Sequence, residues 1–270
     1  MAGNPQTYSA PFDAVAPGYD QLFTSSAIGQ AQRIAVWRHL EKAFYPGDRV
    51  LEIGCGTGVD ACFLAKSGVR VVACDSSSRM IEVATRRIQD GGLEELVQAV
   101  VLPAEEVESL ATEAAFDGAF SNFGVLNCIE DIASLAAGLG RLLKPGAKLV
   151  LCYMGERCLW EVAWYLACGN PGKAFRRFRR GTTAQVSGGT PLKVRYPSVR
   201  EVRGAFEPYF ELKYVKGIGV LVPPSYLERR ANQFPRLLHA ASVADSRLET
   251  CPGIRRLADH ILLQFERRAA

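Results

Sequence analysis

From residue 27 to residue 152, short apolar segments alternate with longer segments in which apolar residues recur at helical spacing. The short segments predict strands over residues 49–53, 69–74, 96–102, 116–122 and 148–152. The helical patterns cover residues 27–44, 60–66, 78–90 and 132–143. Strands that alternate with helices in this way predict an α/β fold with a parallel sheet and helices on both of its faces.

After residue 152 the pattern becomes less regular. Residues 156–169 predict a very apolar helix, which a basic run at 173–180 and a loop rich in Gly, Ser and Thr at 181–191 follow. Residues 197–206 predict a helix and 225–259 are mainly helical. Residues 210–222 and 261–267 predict strands that pair antiparallel at the edge of the sheet. The connection over 153–209 is too long for a simple crossover, so we expect a lid-like insertion after strand five.

Length and composition restrict the class of protein. With 270 residues, 48% of them hydrophobic and 22% charged, the chain is expected to form one soluble domain, with or without an insertion. A net charge of +4 is too small to imply a nucleic-acid partner. The N-terminus carries no basic-then-apolar export signal, and no run of about 18 apolar residues predicts a transmembrane helix. We therefore expect a cytoplasmic protein.

Cysteine and histidine usage predicts neither disulfides nor a metal site. The eight cysteines form no C-x-x-C pair, and Cys74 and Cys152 lie inside apolar runs, which is typical of reduced, buried thiols. None of the histidines, which are His39, His239 and His260, has a cysteine or an acid at ligand spacing. We therefore expect an activity that needs no divalent metal.

A glycine-rich segment between the first strand and the next helix is the strongest candidate for ligand binding. Residues 52–58 read E-I-G-C-G-T-G, and glycines without a Cβ let the backbone turn tightly and approach a ligand closely. A dinucleotide loop, G-x-G-x-x-G, would require a glycine where Val59 stands. Asp75 ends the second strand, where its carboxylate can accept hydrogen bonds from the two hydroxyls of a ribose.

The segment E-x-G-x-G-x-G resembles motif I of the class I S-adenosylmethionine-dependent methyltransferases. Four further stretches, at 75–80, 104–105, 116–123 and 142–146, are similar to other motifs of that family. Residues 12–20, F-D-x-x-A-x-x-Y-D, resemble the N-terminal helix that closes over the cofactor in the ubiquinone/menaquinone-biosynthesis subgroup. The resemblance implies a Rossmann-like, mostly parallel sheet of seven strands with helices on both faces, in which the last strand is antiparallel.

The same resemblance implies S-adenosyl-L-methionine as the cofactor and S-adenosyl-L-homocysteine as its product. Asp75 would hold the ribose, Met80 would flank the adenine, and Arg33 would reach the methionine carboxylate. The full set of residues implied to bind the cofactor is Tyr19, Arg33, Glu52, Gly54, Cys55, Gly56, Gly58, Asp75, Ser76, Met80, Ala104, Glu105, Asn122 and Phe123. Pro103 departs from the family pattern, in which a polar residue precedes the alanine.

Four polar side chains are candidates for contact with the acceptor or for catalysis: Tyr19, Asn127, Tyr153 and Tyr196. Asn127 follows the fourth strand and Tyr153 ends the fifth, at the edge where such sheets bind ligands. The alternatives are a helix cap for Asn127 and half-buried packing for the tyrosines.

The predicted insertion leaves two interpretations open for each of its features. Trp160, Trp164 and Tyr165 share a helix face and either pack a lid on the core or form a wall for an apolar or aromatic acceptor. The basic run at 173–180 either forms a solvated face or attracts an anionic substrate or a lipid headgroup.

The resemblance, taken with these features, implies methyl transfer by in-line displacement to a small, lipophilic or aromatic acceptor. No N-P-P-Y or D-P-P-Y sequence follows the fourth strand, which argues against amino groups of nucleobases or glutamine as acceptors. An RNA or protein acceptor, and a module that binds a nucleoside without catalysis, remain as alternatives. Contact with a membrane surface and the oligomeric state also stay open.

The expected organisation is a single domain over residues 1–270. Residues 1–45 would form helices that cover the cofactor, and 46–152 would form the cofactor-binding core. Residues 153–209 would form the lid on the substrate side, and 210–270 would supply the closing strands with a helical insertion between them.

Overall fold

The structure is a computed structural model that describes residues 10, 12–112, 115–179, 181–185 and 191–269. Seven strands form its main sheet: β1 (Arg49–Ile53), β2 (Arg70–Asp75), β3 (Val97–Val101), β4 (Phe116–Ser121), β5 (Leu143–Met154), β8 (Phe210–Ile218) and β9 (His260–Arg267). Two short strands, β6 (Thr182–Gln185) and β7 (Pro191–Val194), pair with each other in a separate ribbon.

Ten α-helices surround the sheet in the described part of the chain. They are α1 (Ala27–Ala43), α2 (Val59–Ala65), α3 (Ser78–Asp90), α4 (Val125–Cys128), α5 (Ile132–Leu142), α6 (Leu159–Ala167), α7 (Pro171–Ala174), α8 (Val199–Phe206), α9 (Glu228–Ala231) and α10 (Pro235–Leu248). Short 3₁₀ turns, such as Ala16–Gly18 and Arg176–Arg179, and one π turn, Asp20–Thr24, connect them.

The strand order of the main sheet is β3-β2-β1-β4-β5-β9-β8. Strands β1 to β5 run parallel, whereas β9 pairs antiparallel with both β5 and β8. The predicted Rossmann-like sheet with an antiparallel last strand is therefore confirmed. Because β9 runs against β5, its first residue lies at the edge where the parallel strands end.

Two apolar layers cover the two faces of the sheet. Successive residues of β5 alternate between them: Leu149, Leu151 and Tyr153 pack under α5 and α8, whereas Val150 and Cys152 pack under α1 and α2. Burial on both faces explains why the central strands are continuously apolar in sequence. With both faces covered, a ligand site on the described part of the sheet can form at the ends of the parallel strands.

One predicted loop contains a strand. Residues 181–191 were expected to be irregular because of their Gly, Ser and Thr content, yet Thr182 and Thr183 pair opposite Val194 and Lys193 in the β6–β7 ribbon. Threonine is β-branched and fits an extended chain. Pairing with β7 therefore places Thr182 and Thr183 in a strand. The remainder of that stretch, residues 186–190, lies outside the described residues.

Candidate active site

A cavity of about 350 Å³ lies across the carboxyl ends of the parallel strands. Its walls follow the order of the sheet, from residues after β3, past the ends of β2 and β1, to residues after β4 and at the end of β5. Open α/β sheets bind ligands at this edge, at the point where the strand order reverses. In this sheet that point is at β1, which has β2 on one side and β4 on the other. The lining residues are Phe12, Tyr19, Gly54, Gly56, Asp75, Ser76, Met80, Leu102, Ala104, Glu105, Asn122, Phe123, Gly124, Val125, Cys128, Ile129, Met154, Leu192 and Val194.

The glycine-rich loop after β1 borders the cavity in a left-handed conformation. Gly54 and Gly56 have φ angles of 69° and 53°, a region that residues with a Cβ rarely adopt. A Cβ on Gly54 would lie 2.2 Å from the Val125 side chain, so the loop passes this point only as glycine. Nothing lies within 4 Å of a Cβ on Gly56, which would project into open space beside the cavity. The loop therefore keeps free a volume that a ligand can use.

Asp75 presents its carboxylate to the cavity beside this loop. Its two oxygens each accept one backbone N–H, from Gly56 at 2.9 Å and from Ser77 at 2.9 Å. Each oxygen keeps a further lone pair, so both can still accept a hydrogen bond from a neighbouring pair of hydroxyls. Burial raises the pKa of Asp75 above its ordinary value, although the Ser77 and Gly56 N–H groups oppose that rise. The carboxylate is thus oriented before any ligand arrives.

Asp60, in the first turn of α2, connects three elements behind the cavity wall. Its Oδ1 accepts hydrogen bonds from Arg33 Nη1 at 2.6 Å and from Trp37 Nε1 at 2.7 Å. Its Oδ2 accepts a hydrogen bond from Asn122 Nδ2 at 3.0 Å. Arg33 and Asp60 are both buried, and several hydrogen bonds satisfy the pair, as a buried ion pair requires. The arrangement fixes the side chain of Asn122 at the cavity wall.

Three buried polar atoms near this pair have no hydrogen-bond partner among the described residues: Arg33 Nε, Glu52 Oε2 and Asn122 Oδ1. Such atoms are rare because burying them unpaired costs free energy. Asn122 lines the cavity, so its Oδ1 is an acceptor that a donor group on a ligand can satisfy. Burial, with the nearby charge of Asp60, raises the pKa of Glu52 well above its ordinary value. These atoms mark the polar part of the site.

The N-terminal segment covers the cavity. Asp20 accepts a hydrogen bond from Thr57 Oγ1 of the glycine-rich loop at 2.7 Å, and Asp13 accepts one from Ser77 Oγ at 2.6 Å. These contacts hold Tyr19 against the cavity, where burial raises the pKa of its hydroxyl. Tyr19 therefore stays protonated at neutral pH and can donate a hydrogen bond.

The end of the cavity near β4 and β5 is apolar. Its lining comes from Val125, Cys128, Ile129 and Met154 on the core side and from Leu192 and Val194 of β7 on the other. Burial raises the pKa of the Cys128 thiol to about 11, so this cysteine is not a thiolate nucleophile at neutral pH. The lining fits an apolar or aromatic group.

Ten of the fourteen predicted cofactor-binding residues line the cavity: Tyr19, Gly54, Gly56, Asp75, Ser76, Met80, Ala104, Glu105, Asn122 and Phe123. The other four are absent from its described lining. Arg33 is bound to Asp60, Glu52 is buried beside α2, Cys55 is buried, and Gly58 packs against Ala84. From these positions the four residues support the wall of the cavity, and their contact with a cofactor stays a prediction.

The predicted acceptor contact of Asn127 is corrected by its burial. Its side chain is fully buried and donates hydrogen bonds to the carbonyl oxygens of Met154 at 2.9 Å and Arg195 at 2.6 Å. Its Oδ1 accepts a hydrogen bond from the Met154 N–H at 2.8 Å. With all these groups satisfied, Asn127 joins the end of β5 to the chain that leaves β7, and so positions the ribbon beside the cavity.

The predicted roles of Tyr153 and Tyr196 are also corrected. Tyr153 packs in the layer under α5 and α8, because it alternates along β5 with Met154, the residue that faces the cavity. Tyr196 is buried and packs against the Arg177 guanidinium, 5.4 Å from its ring centre. Of the four predicted catalytic side chains, Tyr19 is the one that lines the cavity.

Trp160 and Trp164 line a separate groove between α6 and α10, not the cavity. Of the two interpretations left open for these residues, a wall of the cavity does not fit their positions, and Leu192 and Val194 of β7 line the cavity at that place. The basic run is partly internal: Arg177 donates to Glu161 at 3.0 Å and to Asp259 at 2.6 Å. Its last residue, position 180, lies outside the described residues.

The sequence interpretation missed a histidine at the edge of the site. His260 begins β9 opposite Met154 and packs edge-on against Phe123, with ring centres 5.4 Å apart. Its Nδ1 lies 3.3 Å from Asp259 Oδ2, so an acid does accompany this histidine, contrary to the prediction. Burial lowers the pKa of His260 below its ordinary value, which favours the neutral imidazole. The pairing of β9 with β5, which the sequence pattern did not predict, reveals its position.

All eight cysteines are free thiols. In the described part of the chain, no group of three or more His, Cys, Asp or Glu side chains is arranged to hold a metal ion. Over the same residues, the helices are either too short or too polar to cross a bilayer.

Comparisons with known proteins agree with this geometry. Residues 50–146 match a family model described as a methyltransferase domain. A demethylmenaquinone methyltransferase from Clavibacter sepedonicus is 34% identical over 154 residues, which make up 56% of this chain and 60% of that protein. The chain therefore spans less than two thirds of this curated relative.

Solved structures share the fold across most of the chain. The cyclase SpnF superposes with a TM-score of 0.62 and 15% identity, and the match covers 100% of both chains. An S-adenosylmethionine-dependent methyltransferase from Listeria monocytogenes gives a TM-score of 0.60 and 17% identity over 86% of this chain and 96% of that one. At such identities these structures establish the fold alone.

Three findings on the matched domain agree with one another. The matched domain contains the glycine-rich loop and Asp75. The sheet has the Rossmann-like strand order that was predicted, and the cavity lies at the strand ends beside the loop and Asp75. Residues 50–146 therefore match a methyltransferase domain, and the chain is similar in this part to demethylmenaquinone methyltransferases.

Proposed function

We propose that the chain transfers the methyl group of S-adenosyl-L-methionine to a small, lipophilic or aromatic acceptor. The observation that carries this proposal is the division of the cavity into two parts. A polar part contains Asp75 and Asn122, and it continues into an apolar part lined by Val125, Cys128, Ile129, Met154, Leu192 and Val194. A nucleoside-bearing cofactor fits the first part and an apolar acceptor fits the second.

The polar part supports the cofactor assignment. Asp75 would accept the two ribose hydroxyls on the lone pairs that Gly56 and Ser77 leave free. The adenine would lie towards β3, where Met80 and Leu102 offer apolar surface. The ammonium group of the methionine moiety would donate to Asn122 Oδ1, which has no partner among the described residues.

The apolar part supports a lipophilic acceptor. No charged side chain is among its described lining residues, so a charged acceptor would be desolvated there without compensation. The curated relatives are named for demethylmenaquinone, and we propose an acceptor of that class, a quinone-like ring with apolar character, for this chain. An extended apolar tail on such an acceptor would leave the cavity beside the β6–β7 ribbon.

The chemistry relies on alignment. When bound, the cofactor supplies a methyl group activated by a sulfonium, and a displacement requires that the acceptor atom lie in line with it. Holding two reactants in that geometry supplies much of a rate enhancement. Val125 and Met154 would orient the acceptor ring, and the protonated Tyr19 would donate a hydrogen bond to an acceptor oxygen. The N-terminal segment would exclude water.

The proposal assigns a role to each segment of the chain. Residues 1–45 cover the cofactor, 46–152 bind it, 153–209 form the acceptor side through β7, and 210–270 close the sheet around a helical insertion. Contact with a membrane surface belongs to the same proposal, because a lipophilic acceptor partitions into a bilayer.

Isothermal titration with S-adenosyl-L-homocysteine and with NAD tests the cofactor assignment. We expect the homocysteine product to bind and NAD not to bind. Asp75→Ala should weaken binding by about 1.5–3 kcal/mol for each charged hydrogen bond removed. Asp90→Ala is the matched control, because Asp90 is an exposed acid at the end of α3. Binding of NAD alone, or an Asp75→Ala variant that binds like the parent, would overturn the proposal.

A further inference from the structure

Exposed apolar side chains are concentrated in one stretch of the chain. Of the fifteen large apolar residues that are exposed in the described part of the chain, eleven lie between residues 159 and 254. Phe234, directly before α10, is 61% exposed, and Leu237, on α10, is 67% exposed. Soluble proteins rarely expose contiguous apolar surface of this kind without a partner.

Four of these residues, which are Trp160, Leu221, Phe234 and Leu237, line an apolar groove of about 270 Å³ that is separate from the active-site cavity. The groove lies between α6 and α10, and the Trp160 indole N–H donates to the Leu221 carbonyl oxygen at 3.1 Å across it. The α6–α10 surface is defined here as Trp160, Trp164, Leu221, Phe234 and Leu237 with the basic residues Lys173, Arg179, Arg229, Arg230, Arg236 and Arg247.

Cations of this surface point outwards and its acids point inwards. In residues 159–179 and 221–248, all of which the structure describes, the six basic residues of the surface are exposed. The acids in these segments are Glu161, Glu228 and Asp245, and none of them is exposed. Glu161 accepts hydrogen bonds from Arg176 and Arg177. Glu228 accepts them from the first N–H groups of α1, and Asp245 accepts them from the N–H groups of Leu221 and Val222.

We propose that the α6–α10 surface docks on an anionic lipid bilayer. Basic residues are attracted to anionic headgroups, while Phe234 and Leu237 can enter the boundary between headgroups and acyl chains. The Arg230 guanidinium lies over the Trp164 ring, 4.4 Å from its centre. In the docked chain this pair of a cation and an aromatic ring would lie at the boundary between water and the acyl chains. Docking would bring the chain to the phase that holds a lipophilic acceptor, and in this respect it rests on the proposed function.

Charge distinguishes a bilayer from a second copy of the chain. In a two-fold dimer through this surface, the same six cations would face one another, and like charges at an interface are unfavourable. A nucleic acid would match the cations but would leave Phe234 and Leu237 uncovered. An anionic bilayer satisfies both the charged and the apolar components.

Co-sedimentation with vesicles tests the docking without cofactor or acceptor. The vesicles would be phosphatidylcholine alone or phosphatidylcholine mixed with phosphatidylglycerol. We expect binding to the mixed vesicles that weakens as salt is raised. Arg229→Glu with Arg236→Glu should lower the partition coefficient by about 30-fold or more, and Phe234→Ser with Leu237→Ser by about tenfold or more.

Matched controls lie at the opposite edge of the sheet. Tyr45, 56% exposed before β1, is the aromatic control as Tyr45→Ser, and the exposed Lys66 and Arg70 supply the charge control as Lys66→Glu with Arg70→Glu. These variants should bind mixed vesicles like the parent. Circular dichroism verifies that each variant is folded.

Three results would overturn the docking proposal. They are a parent chain that does not bind mixed vesicles, control variants that weaken binding as much as the surface variants, and a parent dimer that Phe234→Ser with Leu237→Ser converts to a monomer. Titration with S-adenosyl-L-homocysteine is run separately on the same samples. Its failure would count against the proposed function and would leave the vesicle result unaffected.

Discussion

The Asn122 amide donates a hydrogen bond to the Asp60 carboxylate at 3.0 Å, and this bond determines which end of the amide is free. With Nδ2 directed to Asp60, Oδ1 is left without a partner among the described residues. Asn122 therefore offers an acceptor at the cavity, where a ligand ammonium group would be bound. Asp60 itself is held by Arg33 and Trp37 of α1.

Replacing Asp60 by alanine should destabilise the fold strongly. The change leaves the buried Arg33 guanidinium without its carboxylate, and breaking a buried ion pair from one side costs about 3–5 kcal/mol. The double variant Asp60→Ala with Arg33→Met should recover much of that loss, because no unpaired charge remains. Urea unfolding of the two variants measures the difference.

Asp90→Ala, at an exposed position, serves as the control and should change the free energy of unfolding by less than about 0.5 kcal/mol. An Asp60→Ala variant as stable as this control would show that the Arg33–Asp60 pair does not organise the wall.

The glycine-rich loop provides a contrast between two neighbouring positions. Both Gly54→Ala and Gly56→Ala place a Cβ on a left-handed residue, which costs about 1–2 kcal/mol. Gly54→Ala adds a clash with Val125 and should be the less stable variant. Gly56→Ala meets no protein atom, so its main effect should be at least tenfold weaker cofactor binding.

Gly47→Ala is the control for backbone strain, because Gly47 has a φ of 91°, open space around a Cβ and a position before β1, away from the cavity. Thermal unfolding and titration with S-adenosyl-L-homocysteine measure the two effects. Equal cofactor affinity in Gly56→Ala and Gly47→Ala would mean that the loop does not border the cofactor.

Local patterns predicted three residues that the structure places at the cavity. Gly54, Gly56 and Asp75 lie at strand ends whose order the alternation of strands and helices already implies, and all three line the cavity. The antiparallel pairing of β8 with β9 was also visible as two apolar segments near the C-terminus. The position of each strand and of the glycine-rich loop depends on neighbours in sequence.

Features that depend on how the side chains of distant residues pack were not predictable. Tyr153 and Met154 are adjacent, and only the packing of the sheet decides which of them faces the cavity. Asn127 looked exposed to a ligand because its partner Arg195 lies 68 positions away. Leu192 enters the wall through a ribbon whose first strand resembled a loop.

Glu249 should make stability depend on pH in the acid range. It accepts hydrogen bonds from Lys216 at 2.6 Å and pairs with His39 at 3.4 Å. Burial opposes its ionisation, but His39 and Lys216 outweigh burial and lower its pKa from 4.5 to about 2. Its contribution, about 1–3 kcal/mol, is therefore present above pH 4.5 and is lost as the pH falls towards 2.

Urea unfolding of the parent and of Glu249→Gln, at a series of pH values, measures this contribution as the difference between their unfolding free energies. The difference should be constant above pH 4.5 and should shrink below it. A difference that does not change with pH would show that the carboxylate charge contributes nothing to stability.

Transfer of a labelled methyl group tests the central claim most directly, because the cyclase SpnF shares this fold. The chain would be incubated with methyl-labelled S-adenosyl-L-methionine and a cell extract, which is then separated into lipid, small-molecule, protein and RNA fractions. We predict label in the lipid or apolar small-molecule fraction, with little or none when Asp75→Ala replaces the parent. Label in the protein or RNA fraction alone, or no transfer by a parent chain that binds the cofactor, would contradict the account.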